Sequence, residues 1–84
     1  MNKRQKKTLQ KIFEKPTRAD ITWTEAESLL KACDAVIRYG SGSVTMAAIN
    51  KHVVCIHRPH PQKELKKRAV EALRDFFENA GIRP

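Results

Sequence analysis

The chain has 84 residues, 40% apolar and 6% aromatic, with 17 Lys plus Arg against 9 Asp plus Glu and a formal charge of +8. That length fits one domain over residues 1–84 that buries roughly 60% of its unfolded surface, which leaves little room for a separate cofactor domain or a deep substrate cavity. No run approaches the roughly 20 apolar residues of a membrane span, and the basic start Met1-Asn2-Lys3-Arg4 is not followed by the apolar segment of a secretory signal, so a cytoplasmic protein without membrane contact is expected.

In chain order, residues 6–15 read as a short helix with Leu9, Ile12 and Phe13 on one stripe, ended by Pro16. Residues 1–18 therefore read as a basic, helical N-terminal extension, and 19–84 as the core. Thr22 and Thr24 are both plausible N-caps, followed three residues later by Glu25 and Glu27. The helix they open runs to about Asp34, with Ala26, Leu29, Leu30 and Cys33 at helical spacing. Residues 35–39 read as a strand and Gly40-Ser41-Gly42-Ser43 as a turn. Val44 to Ile49 and His52 to His57 then form a hairpin about Asn50-Lys51. Arg58-Pro59-His60-Pro61 is a loop, because its prolines disfavour helix and sheet interiors. A last helix spans about Glu64 to Ala80, with Leu65, Ala69, Ala72, Leu73, Phe76 and Phe77 on its apolar stripe and Gly81 at the C′ position. The expected architecture is α+β: a three-stranded antiparallel sheet, helices on one face, the other face open.

The charge surplus is blocked. Residues 1–18 carry seven basic groups against Glu14, and residues 58–68 carry Arg58, Lys63, Lys66, Lys67 and Arg68 against Glu64. Two basic blocks on a nearly neutral body favour a polyanion, whose condensed counterions are released on binding. An acidic protein partner would exploit the same blocks. Cys33 and Cys55 show no CxxC spacing and read as small buried hydrophobes, with neither disulfide nor zinc site expected. No cofactor or metal is expected, since Pro59 prevents a helical His57/His60 ligand pair and no third ligand is close in sequence.

These features together resemble the HicA family of toxins from bacterial toxin–antitoxin pairs. The residues that carry the resemblance are Gly42-Ser43 before the second strand, Ile21-x-Trp23 before the core helix, His57-Arg58-Pro59-His60-Pro61 with Lys63-Glu64 after the third strand, and Ala80-Gly81-Ile82 at the end. It covers roughly residues 6–84 and lies in their joint order, no single motif being long. It implies a double-stranded-RNA-binding-domain-like fold, metal-independent mRNA cleavage as an mRNA interferase, and a cognate HicB-like antitoxin as protein partner, in a hetero-oligomer or beside a homodimer. The family's catalytic histidine belongs to a Gly-Ser-His pattern. Here Val44 follows Gly42-Ser43, so that role is not carried over. His60 matches the Pro-His-Pro histidine by position.

Metal-free RNA cleavage needs a base for the 2′-OH proton, an acid for the leaving 5′-oxygen and cations around the phosphorane, and imidazole suits both proton transfers. His52 and His57 end one strand on opposite faces and cannot share a site. His57 and His60 are the candidate catalytic pair, with Arg58, Lys63, Lys66, Lys67 and Arg68 as RNA-binding cations. The bland alternative is a strand-ending His57 and a His60 packed in a rigid proline turn. The second strand divides into Val44, Met46, Ala48 and Thr45, Ala47, Ile49, of which one set faces the helices. Val44 and Met46 on the open face would suit a protein partner, the antitoxin or a second copy, better than RNA. A catalytically inert RNA-binding or antitoxin-binding module on the same fold is the alternative to a nuclease.

Overall fold

Two capping boxes set where the first helices begin. In the computed structural model, which describes residues 1–84, Asn2 accepts from the Gln5 amide while the Gln5 side chain accepts from the Asn2 amide. The first helix, α1, is thereby Lys3–Phe13, starting three residues earlier than its apolar stripe suggests. Thr22, rather than Thr24, caps α2 (Trp23–Ala32) by the same reciprocal arrangement with Glu25. Both α2 and α3 (Lys67–Asn79) end in Schellman motifs. The Ala35 amide donates to the Leu30 carbonyl after α2, and the Ile82 amide to the Phe77 carbonyl after α3. Gly81 supplies the positive φ for the second motif, at 78°, and Asp34 for the first, at 60°.

The strands β1 (Val36–Tyr39), β2 (Val44–Ile49) and β3 (His52–His57) form an open antiparallel sheet in the order β1-β2-β3. The fold is α+β, with three helices and this sheet. The register pairs Val36 with Ala48 and Tyr39 with Thr45, then Val44 with His57 and Ile49 with His52. Alternation sends Thr45, Ala47, Val54 and Ile56 into the core with α3's Val70, Leu73, Phe76 and Phe77. Val36, Met46 and Val53 are left exposed on the far side.

The N-terminal helix is part of this core. Leu9 and Ile12 are buried against α2 and α3. Arg74 of α3 donates to the Ile12 and Glu14 carbonyls and to Thr17 Oγ1 at 2.9–3.0 Å, which satisfies carbonyls that the end of α1 leaves without partners. Gln5 reaches Ser28 and ties α1 to α2.

The last helix starts at Lys67, three residues later than its apolar stripe suggests. Residues before it lie in an extended run against residues 21–23. Trp23 donates to the Lys63 carbonyl, Leu65 to the Ile21 carbonyl, and Thr22 and Glu64 form an isolated bridge. Leu65 is anchored in the core from this run, only 2% exposed. The chain must therefore cross from the end of β3 to the base of α2 before α3 begins, and the crossing shapes a cleft.

Candidate nucleic-acid interface

The cleft lies between the free edge of β3, the loop after it and the first turns of α3. It has a volume of about 670 Å³. His57 and Arg58 border it from the end of β3, Pro59 and His60 from the loop, and Lys66 and Arg68 from the start of α3. Ala69 and Ala72 form its apolar wall. The sequence-predicted residues thus divide. His57, His60, Arg58, Lys66 and Arg68 share one cleft, whereas Lys63 and Lys67 do not line it. Lys63 belongs to the extended run paired with α2's first residue.

No carboxylate lines the cleft. The ion pairs of the molecule lie elsewhere: Arg18 with Glu14 and Asp20, each at 2.7 Å, and Arg83 with Glu78. Arg18 holds the Asp20 carboxyl well below the usual range, at about 2, mainly through their hydrogen bond. Arg58, Lys66 and Arg68 have no such partner. The start of α3 departs further from helix-terminus chemistry. Its N-cap, Lys66, makes no side-chain cap bond, and no acidic residue occupies the first turn. Lys66, Lys67 and Arg68 therefore set positive charge at the positive end of the helix dipole, which is unfavourable unless an anion is present.

Arg58 is the most constrained of the cations. Its Nη2 donates to the Gly42 carbonyl at 2.8 Å, and its guanidinium lies 5.4 Å from the centre of the Tyr39 ring. The Tyr39 hydroxyl in turn donates to Glu27, and that bond raises its pKa above the ordinary phenol value. Arg58 Nε is buried without a partner. The residue is thus both a strut across the sheet's end and the holder of an unsatisfied donor at the cleft. Sequence reading could assign its charge but not this bracing, which joins positions 19 and 16 residues away.

His57 is exposed on the open face and His60 is exposed in the loop. Neither imidazole has a hydrogen-bond partner within the chain. The His60–Pro61 peptide is cis. His52 is half-buried at the other end of β3 and takes no part in the cleft. The open face carries Val44, Met46 and Ala48 from β2, Val53, Cys55 and His57 from β3, and Val36 and Arg38 from β1, with Arg38 opposite Met46. The sequence pattern places Cys55 in the core. It is exposed instead, because β3 alternates from the buried Val54 and Ile56. Cys33 is half-buried, and that burial, with Asp34 beside it, pushes its thiol pKa up. No three His, Cys, Asp or Glu side chains gather in a metal-ligating group. No helix is long and apolar enough to cross a membrane.

Comparison of the chain with family models, with curated proteins and with solved structures finds no match in any of the three.

Proposed function

We propose that the protein is an RNA-binding, toxin-like protein of the HicA kind on a double-stranded-RNA-binding-domain-like fold, and that its basic cleft cleaves mRNA without a metal ion. The observation that carries this reading is the meeting of His57 and His60 with Arg58, Lys66 and Arg68 in one cleft free of carboxylates. A phosphodiester seated there would meet cations that have no carboxylate partner within the chain. It would also relieve the charge conflict at the start of α3.

The chemistry needs two imidazoles. One, neutral, takes the proton from a ribose 2′-OH. The 2′-oxygen attacks the adjacent phosphorus and the bond to the 5′-oxygen breaks. The second imidazole, protonated, gives its proton to that departing oxygen. The products are a 2′,3′-cyclic phosphate and a 5′-OH, with no proton gained or lost overall. Arg58, Lys66 and Arg68 would stabilise the charge that builds on the phosphorane. His57 faces Val44 across the β2–β3 ladder. The His57 Cα therefore lies about 4.5 Å from that of Val44, the position where the family carries its catalytic histidine.

A second reading, an inert RNA-binding module, is favoured by one observation. Neither histidine is held by an orienting hydrogen bond, which general acid–base groups ordinarily have. In either reading the apolar strip of Val44 and Met46 is the surface for a HicB-like antitoxin. Incubating an RNA fragment with the protein in the presence of a chelator separates the two: cyclic-phosphate ends support the nuclease, and intact bound RNA supports the inert module.

A further inference from the structure

The free edge of β3 carries a feature that RNA contact does not use. The Arg58 amide donates to the Ser43 carbonyl, which makes that pair a hydrogen-bonded one. In an antiparallel ladder such pairs alternate, so Ile56/Thr45, Val54/Ala47 and His52/Ile49 are also bonded. The backbone N–H and C=O of Val53, Cys55 and His57 then point away from β2, off the edge of the sheet. None of them is used by a turn or loop backbone bond. The edge is also unguarded. Residues 52–57 contain no Lys and no Pro, and the register runs through all six without a bulge.

Beside this edge lies the cleft, with Ala69 and Ala72 leaving room under it and Arg58, Lys66 and Arg68 at its rim. We propose that β3 accepts an extended, acidic segment of a partner protein as a fourth strand of the sheet. Main-chain bonds to Val53, Cys55 and His57 supply the pairing. Alternate side chains of the guest lie over Ala69 and Ala72, and the others extend the apolar open face. Carboxylates near the His57 end meet the rim cations. A second copy of this chain is a poorer guest, because each copy carries a charge of +8 and would bring its own cations to the same rim. The strand addition needs no cleavage chemistry. It does cover His57, so a seated guest excludes RNA from the cleft.

The test uses an eight-residue peptide with valines over its first five positions and glutamates over its last three, with backbone amide exchange of the intact protein followed by NMR. The peptide should slow exchange at Val53, Cys55 and His57 by about tenfold or more, while Val54 and Ile56, already bonded, change little. N-methylation of every second peptide amide should abolish binding in one phase of the alternation and not in the other. The valine–lysine counterpart should not bind. Cys55→Pro, which removes an outward N–H without breaking the ladder, should weaken the peptide about tenfold. Peptide binding that leaves the three amides exchanging at their free rate overturns the proposal, since charge alone then holds the peptide. Protection of the same amides by rising protein concentration without peptide also overturns it, naming a second copy as the guest. Displacement of a bound, amide-protecting peptide by oligouridylate supports it and places RNA in the same cleft. RNA cleavage is measured separately, so its absence leaves these outcomes readable.

Discussion

Val44 and His57 face each other across the β2–β3 ladder, on the face of the sheet that no helix covers. They form a non-hydrogen-bonded pair, the kind whose Cα atoms approach most closely, at about 4.5 Å. The HicA-like pattern has its histidine at the Val44 position. In the proposed site the imidazole would come from His57 on the neighbouring strand instead. If the cleft tolerates that displacement, Val44→His should place two imidazoles side by side and raise RNA cleavage, read as the single-turnover rate. An unchanged or lower rate would mean that His57 already fills the role or that position 44 is outside the site.

RNA affinity should fall steeply with salt. Each phosphate contact contributes about 0.7 to the log–log slope for a single strand. Reversal of Lys66 and Lys67 to Glu should weaken binding across RNA sequences and flatten the slope. Of the two, Lys66 should matter more for a ligand in the cleft, because Lys67 does not line it. A filter-binding salt titration of the single variants checks this.

Much of the fold was legible in the sequence because its signals are local. The strand limits at 44–49 and 52–57 followed from apolar runs around Asn50-Lys51, and Gly81 from the need for a positive φ after a helix. The late start of α3 was not legible. The stripe that Leu65 shares with Ala69 reads as helix, yet Leu65 reaches the core from an extended run paired with Ile21, a contact 44 residues away in sequence. The contribution of α1 was hidden for a similar reason. Leu9 and Ile12 were visible as a stripe, but the partner of the helix's end, Arg74, lies 62 residues beyond Ile12. At the cleft, sequence proximity groups the histidines with Arg58, Lys66 and Arg68, but it also draws in Lys63 and Lys67, which do not line it. The bracing of Arg58 and the exposure of Cys55 depend on register, which only the folded sheet fixes.

Arg74→Ala should destabilise the fold by about 1.5–3 kcal/mol, the range for hydrogen bonds from a charged donor. It removes donors to the Ile12 and Glu14 carbonyls and to Thr17. Chemical denaturation measures the loss, and RNA binding by the folded fraction should be unaffected. A change within about 0.5 kcal/mol, usual for a plain surface site, would show that the apolar contacts of α1 and its Gln5–Ser28 bonds hold it without Arg74.

Met46→Asp should leave the fold intact, because Met46 is 46% exposed on the open face. Against a HicB-like antitoxin docked on that face, it would bury a carboxylate whose only charged neighbour across the ladder is Arg38, and the desolvation should weaken binding by about tenfold or more. Calorimetry with the partner checks this. Unchanged affinity would move the docking surface off the central strand.

The most direct measurement is single-turnover cleavage of an end-labelled mRNA fragment in chelator, by the unaltered protein, His57→Ala and His60→Ala, each confirmed folded by circular dichroism. The unaltered protein should leave cyclic-phosphate ends, each variant should lose about 10²–10⁴-fold in rate, and both should retain RNA binding. Intact RNA bound to the unaltered protein, or cleavage by both variants at the unaltered rate, would contradict the proposed mechanism.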